Sequence, residues 1–223
     1  MDVSFFLKQR TAFIRQLYDN ASFSFLERKR KIEEEEEPFI PPYSEDGEPP
    51  FLSEWLEADE SLHILGLSCV SMLASALHLY LKTWEDDFRI PAGEKFRAQF
   101  KKGWINGYKA YFADNFEIKW EQGPADLPLL EEIVLARNCT QHPKNITSQW
   151  IAYSATDVKK LTQPFFANDR EMKLVSDLDV SEKVWLISPS IHVTKEKLYA
   201  AITQVEQFCD WLENQITLRV YRA

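Results

Sequence analysis

One long apolar pattern constrains the fold of this chain more than any other feature of its sequence. Between residues 53 and 88, apolar side chains recur at steps of three and four residues: Leu62, Leu65, Cys69, Met72, Leu73, Ala76, Tyr80 and Trp84. This spacing places them on one face of a single α-helix, for which Ser53 is a suitable N-cap. Because so long a helix must bury that face along its whole length, we expect it at the centre of a helical core.

Four other stretches carry helical patterns and would pack around this central helix. Residues 2–37 contain no glycine or proline, residues 127–141 begin with an apolar face, and a helix capped by Thr194 runs to about residue 217. Residues 94–113 carry aromatic side chains at every fourth position, a stripe more typical of a core than of a base-stacking platform: Phe96, Phe100, Trp104, Tyr108 and Phe112. These patterns predict an all-α fold, a bundle of about five helices in a single domain over residues 1–223.

Two segments interrupt the helical patterns. Residues 38–52, "PFIPPYSEDGEPPFL", form an acidic, proline-rich stretch that predicts a loop. Residues 143–193 combine turn-rich pieces such as "PFFANDRE" with "SQWIAYS" and "KVWLISPSIHV", whose composition favours β structure. We expect an irregular insertion there, before the last helix, that can include a short β-hairpin.

The acidic balance of the chain is a local feature. The formal net charge is −9, with 26 basic and 35 acidic residues. Twelve of the acidic residues lie between Lys31 and Lys82, a stretch with no lysine or arginine inside it, which leaves 23 acidic residues against 26 lysines and arginines in the remaining chain. The net charge therefore does not exclude a surface that binds nucleic acid on the rest of the protein.

Several classes of function lack their sequence patterns here. There is no GxxxxGK[ST], GxGxxG, HExxH or GxSxG motif, and six glycines are too few for a usual phosphate-cradling loop. The four histidines are scattered. Neither His63 nor His78 is followed by a second ligand at helical spacing, so both are expected to be packed or surface side chains. We expect no metal site and no cofactor.

The sequence also predicts a location. No stretch approaches the roughly 18 uninterrupted apolar residues of a membrane span. The opening "MDVSFFLKQR" lacks the basic start and apolar core of a signal peptide. Cys69, Cys139 and Cys209 are far apart and form no CxxC pair, which is typical of reduced thiols. We expect a cytoplasmic protein that does not associate with membranes.

The stretch "LLEEIVLARNCTQHPKN", residues 129–145, carries the polar cluster with the clearest chemistry. It begins as an ordinary amphipathic helix, whose Glu131 and Glu132 are predicted to point away from the apolar face. Its last turn and a half then contains Arg137, Asn138, Gln141 and His142, and Pro143 ends the helix. Because a proline disfavours helical geometry in the residue before it, the imidazole of His142 can swing off the helix end towards Arg137.

This cluster resembles a known signature. "ARNCTQH" is similar to the R-x(4–6)-H motif of HEPN-domain ribonucleases, in which a polar residue, often Asn, follows the Arg. The preceding "PLLEEIVLARN" and the helix "EADESLHILGLSCVSMLASALHLYLKTW" resemble the matching helices of that superfamily. The resemblance covers roughly residues 53 to 142, while the acidic loop and the insertion after His142 depart from it.

The resemblance implies a function, a site and partners. HEPN ribonucleases are helical bundles that dimerise so that two motifs share one cleft, and active members cleave RNA without a metal ion. They are commonly toxins or defence effectors, often controlled by a nucleotidyltransferase-like antitoxin. By this resemblance, Arg137 and His142 would be catalytic, Asn138 would support them, and RNA would be the substrate of a homodimer.

The chemistry of these residue types suits that reaction. RNA supplies its own nucleophile, the 2′-hydroxyl, so an imidazole that moves a proton and a guanidinium that grips phosphate oxygens suffice. Two alternatives stay open. The first is a non-catalytic HEPN-like module that binds a nucleotide or a protein partner in the same cleft. In the second, Arg137 pairs with Glu131 or Glu132 and His142 merely caps the helix.

Overall fold

Helices make up most of the described residues of the protein. The computed structural model describes residues 2–42, 49–142, 151–154, 157, 161, 164–177 and 189–221. Its α-helices are α1 (Val3–Glu33), α2 (Leu52–Phe88), α3 (Arg97–Phe100), α4 (Trp104–Phe116), α5 (Leu127–Gln141), α6 (Asp169–Asp177) and α7 (Lys195–Ile216). No β-strand forms within these ranges, so the all-α prediction is confirmed.

The long helix α2 lies at the centre of the core, as its apolar pattern predicts. Leu73, Leu77 and Leu81 are completely buried. Helix α1 packs along α2, and α5 and α7 cover the remaining faces. The predicted N-cap Ser53 is wrong, because the N-cap of α2 lies two residues earlier, at a left-handed Phe51 (φ 58°) whose carbonyl accepts the Trp55 N–H at 3.0 Å.

Helix α2 is long and apolar enough to be compared with a membrane-spanning helix. One 18-residue window has a mean hydropathy of 1.8, so α2 could cross a membrane by length and composition alone. In the folded chain 56% of that window is buried against other helices. This burial also fits the core helix of a bundle, and the location of the protein stays a prediction.

The aromatic stripe is core, but it does not form one continuous helix. A 3₁₀ turn at Glu94–Phe96 leads into α3, and the chain then breaks before α4 at Gly103, whose φ of 130° is rarely adopted by other residues. A side chain at Gly107 would meet the Phe100 ring at 2.4 Å. The break therefore lets α3 fold back so that Phe100 packs directly over the backbone of α4.

Helix α5 spans the predicted residues 127–141, and α7 begins at its predicted cap Thr194. The Asp126 carboxylate accepts the Leu129 N–H at 3.2 Å, and α5 ends at Gln141 as expected. The Thr194 hydroxyl accepts the Lys197 N–H at 3.3 Å and starts α7. Local sequence signals therefore predict both helices, and with them the position of the polar end of α5.

The two interrupting segments are only partly described. Residues 43–48 of the predicted loop, and residues 143–150, 155–156, 158–160, 162–163 and 178–188 of the insertion, lie outside the described residues. In the rest of the insertion, two isolated antiparallel bridges pair Ala152 with Ser190 and Ala167 with Ile191. A turn at residues 165–166 is followed by α6, and no β-hairpin forms among the described residues of the insertion.

Glu132 on α5 is buried, although it was predicted to point away from the apolar face of the helix. Glu132 is 3% exposed, whereas Glu131 lies on the surface. The Glu132 carboxylate accepts hydrogen bonds from the Tyr153 hydroxyl at 2.5 Å and from the backbone N–H groups of Phe165 and Phe166 at 2.8 Å each. The buried donors of the insertion explain the inward orientation, and Glu132 fastens that segment to α5.

Candidate functional site

The Arg137 side chain leaves α5 one turn before its end and is partly buried. Its Nη1 donates a hydrogen bond to the Oδ1 of Asn138 at 3.2 Å. Asn138 itself is exposed. The amide thus restrains the guanidinium through one of its five N–H groups and leaves the others for a ligand. This geometry suits a supporting role for Asn138.

His142 is the C-cap residue of α5. Its backbone N–H bonds to the Asn138 carbonyl at 3.1 Å, while φ −127° and ψ 60° take it out of helical geometry. The side chain is exposed. Among the described residues, no hydrogen bond joins Arg137 to His142, and no ion pair joins Arg137 to Glu131 or Glu132. The two motif side chains therefore share a helix end without a hydrogen bond between them in the described part of the chain.

Arg137 opens into a small pocket built by three helices. The pocket has a volume of about 310 Å³, and α2, α4 and α5 supply its lining: Ala74, Ser75, His78, Leu79, Lys82, Trp104 and Arg137. The titratable groups among these lining residues are His78, Lys82 and Arg137, all of them basic. Such a lining favours an anion of the size of a phosphate group.

His78 holds a fixed position in this pocket. Its ring stacks on the Trp104 indole, with 4.7 Å between centroids and 24° between planes. The outer face of the side chain stays exposed. Partial burial lowers the pKa of His78 below its usual 6.5, and the positive charges of Arg137 and Lys82 lower it further, while Glu85 acts in the opposite direction.

Sequence reasoning missed His78 as a site residue. It was expected to be a packed or surface histidine, and no local spacing connects it with Arg137 on another helix. Only the packing of α2 against α5 brings the two into one pocket. Lys82 joins them one turn further along α2, where it pairs with Asp86 at 2.9 Å and Glu85 at 3.2 Å.

A larger apolar groove adjoins the pocket. It lies between α1 and α2, has a volume of about 1000 Å³, and shares Ser75 and Leu79 with the pocket. Gln141, at the end of α5, also lines it. Its large side chains are unusually exposed, since Phe6 is 51% and Phe13 is 55% exposed. Pocket and groove together form one continuous surface beside the polar end of α5.

In the described ranges, His, Cys, Asp and Glu side chains do not group in threes as a metal ion would require. The chain matches no family model, no curated protein and no solved structure. The resemblance to HEPN ribonucleases therefore depends on the residues of the α5 motif and the helices around it.

Proposed function

We propose that this protein is a metal-independent endoribonuclease of the HEPN type, with Arg137 and His142 as catalytic residues and Asn138 as their support. One observation carries the proposal: Arg137 opens into a pocket whose titratable lining residues are all basic. A guanidinium fork that is held by Asn138 can grip two oxygens of an RNA phosphate.

The proposed reaction is an attack of the RNA 2′-hydroxyl on the adjacent phosphorus. The bond between phosphorus and the 5′-oxygen then breaks, and the product ends in a 2′,3′-cyclic phosphate. Arg137 stabilises the charge that develops on the phosphate oxygens, and the protonated ring of His142 gives its proton to the leaving 5′-oxygen and becomes neutral imidazole. The exposed position of His142 at the helix end leaves it free to approach such a substrate.

The proposal includes a HEPN-like bundle that acts as a cytoplasmic homodimer. The groove beside α5 supports the homodimer, because exposed Phe6 and Phe13 offer an apolar surface that a second copy can cover. In such a dimer the ends of two α5 helices would border one cleft. A role as a toxin or defence effector, with a nucleotidyltransferase-like antitoxin, follows from the resemblance.

One observation favours the alternative of a non-catalytic module. His142 forms no hydrogen bond with Arg137 within the described part of the chain, so the pair is not preassembled. A module that binds a nucleotide or a protein partner in this cleft needs the basic pocket but no proton transfer. The two functions therefore differ in their dependence on His142.

Cleavage of a single-stranded RNA in EDTA tests the proposal. The wild-type protein should leave 2′,3′-cyclic phosphate ends, and His142→Ala and Arg137→Ala should each be at least about a hundredfold slower. Asn138→Ala should lose less, and Arg137→Lys should not restore activity because an ammonium lacks the guanidinium fork. Arg97→Ala, an exposed arginine on α3, is the matched control. If wild-type protein binds nucleotides but leaves varied RNAs intact, it is a binding module.

A further inference from the structure

The structure leaves one proton transfer of the proposed reaction without a residue. Attack by the 2′-hydroxyl requires a base that takes its proton, and departure of the 5′-oxygen requires an acid. His142 can serve at only one of these two positions at a time. A second imidazole that faces the same phosphate would complete the pair.

We propose that His78 is the general base of this reaction, acting on a phosphate held by Arg137. The inference rests on the proposed ribonuclease function. The neutral His78 ring takes the 2′-hydroxyl proton as the bond from the 2′-oxygen to phosphorus forms. The bond to the 5′-oxygen breaks, and this oxygen takes its proton from His142. His78 ends as imidazolium and His142 as imidazole, and exchange with water restores both.

The placement of His78 supports this role. His78, Lys82 and Arg137 line one pocket of about 310 Å³, which is wide enough for a phosphate and part of its sugar. Stacking on Trp104 fixes the plane of the imidazole, while the exposed side chain remains accessible to a substrate. A catalytic group must be held in this way before the substrate arrives.

The charges around His78 favour the neutral ring, which is the form that a general base requires. Arg137 on α5 and Lys82 on α2 both disfavour the imidazolium, as does the partial burial that lowers the pKa of His78. Glu85 on α2 opposes them, and the Tyr108 ring on α4 lies 6.0 Å away. A neutral imidazole can accept the proton of the 2′-hydroxyl.

Three substitutions separate catalysis from packing at this position. His78→Phe keeps an aromatic ring on Trp104 but cannot accept a proton. His78→Ala removes the ring and leaves room for free imidazole. Lys102→Ala changes an exposed lysine that lies outside the pocket and serves as the control. Binding is measured with the same RNA carrying a 2′-deoxy sugar at the cleavage site, which cannot react.

The inference predicts a specific set of outcomes. His78→Phe and His78→Ala should be at least about a hundredfold slower, with binding of the uncleavable RNA changed less than about threefold. Added imidazole should restore part of the activity of His78→Ala and none of that of His78→Phe. The rate of wild-type protein should fall at acidic pH as His78 takes up a proton, and this fall should disappear in the residual activity of His78→Phe.

Other outcomes would overturn the inference in distinguishable ways. If wild-type protein cleaves RNA and His78→Phe is equally active, the base is another residue and the ribonuclease function stands. If the His78 variants are slow because they bind the uncleavable RNA at least tenfold less tightly, and imidazole has no effect, His78 is a binding residue. If wild-type protein cleaves no RNA, both the ribonuclease function and the role of His78 are wrong.

Discussion

The imidazoles of His63 on α2 and His192, just before α7, lie face to face, with ring centroids 6.1 Å apart and 18° between their planes. His63 is only 4% exposed. Burial lowers the pKa of His63 to about 4, and the neighbouring His192 contributes to this shift. Burial also lowers the pKa of His192, although Asp59 raises both values. The pair therefore joins α2 to the segment before α7 only while both rings are neutral.

This pair should make the folded state sensitive to acid. Above pH 6.5 neither the folded nor the unfolded chain protonates His63 appreciably, so its contribution to stability is complete. As the pH falls from 6.5 towards 4, His63 binds a proton in the unfolded chain but not in the folded chain, and the free energy of unfolding decreases. The pKa of about 4 for His63 corresponds to a loss of about 3 kcal/mol across this interval.

Urea unfolding between pH 4 and pH 8 measures this loss. His63→Leu removes the titrating group and keeps a similar volume, so its stability should depend less on pH than that of wild-type protein. The double variant with His192→Leu should depend on pH still less. Since the acidic residues are the same in all three proteins, the difference between the curves reports the two histidines together with their interaction with Asp59. Parallel curves from pH 6.5 to 4 would contradict the prediction.

The buried Glu132 carboxylate should be needed for stability, although it lies only a few residues before Arg137. It accepts hydrogen bonds from the Tyr153 hydroxyl and two backbone N–H groups. Glu132→Gln replaces one accepting oxygen with a donor that faces other donors. We expect the free energy of unfolding to fall by about 1–3 kcal/mol, and Tyr153→Phe to have an effect of similar size.

The neighbouring Glu131 provides a matched control for this substitution. It lies on the same helix but on the surface, so Glu131→Gln should change the free energy of unfolding by less than about 0.5 kcal/mol. Urea denaturation of the three variants makes the comparison. Equal stabilities for Glu131→Gln and Glu132→Gln would show that the segment around Tyr153 does not depend on this carboxylate.

Local periodicity and capping were enough to predict much of this fold. The extent of α5 was predicted from the apolar pattern of residues 127–141, and the start of α7 from its cap Thr194. The break at Gly103 was missed because the aromatic spacing continues through it. Its signal was the glycine itself, whose positive φ is a property of the folded chain.

The parts of the site that sequence reasoning missed depend on contacts between distant residues. Glu131 and Glu132 look alike in sequence, and only the donors at Tyr153, Phe165 and Phe166 distinguish them. His78 and Arg137 become neighbours through helix packing. The motif on α5 consists of residues close together in the sequence, so it could be predicted. The pocket into which it opens is formed by tertiary packing of three helices, so it could not be predicted.

The close approach of α2 to the segment before α7 should make Gly66 irreplaceable. A Cβ atom at Gly66 would lie 2.6 Å from the Val193 carbonyl oxygen and 2.9 Å from the Val193 Cβ. Glycine to alanine in a helix interior usually stabilises by about 1 kcal/mol. Here we expect Gly66→Ala to destabilise by about 1–3 kcal/mol, because the two backbones must move apart.

Thermal unfolding of two helix variants tests this reversal of sign. Ser68→Ala, on the exposed face of the same helix, should leave the melting temperature nearly unchanged or raise it slightly. Gly66→Ala should lower it by several degrees. A stabilised Gly66→Ala protein would mean that α2 and Val193 are further apart than the structure places them.

The apolar groove between α1 and α2 should be the contact surface of the proposed homodimer. Phe13 lines the groove and is 55% exposed, while Phe23 on the same helix is 69% exposed and lies outside it. Wild-type protein at micromolar concentration should have about twice the 26.1 kDa mass of the chain. Phe13→Glu buries a charge in that contact and should give monomers, whereas Phe23→Glu should remain dimeric. Light scattering after gel filtration measures the three masses, and a monomeric wild-type protein would contradict the dimer.

A mixture of two inactive variants tests whether the dimer also shares its catalytic groups. If Arg137 of one copy acts with His142 of the other, a dimer of Arg137→Ala with His142→Ala contains one intact site and one site that lacks both groups. Random pairing makes about half of the dimers mixed, so the mixture should regain about a quarter of wild-type activity. Phe13→Glu in either partner should abolish this recovery, because the copies then separate. If the mixture stays inactive although mixed dimers form, each site takes both residues from one chain, and the exposed His142 must reach the phosphate from its own helix end.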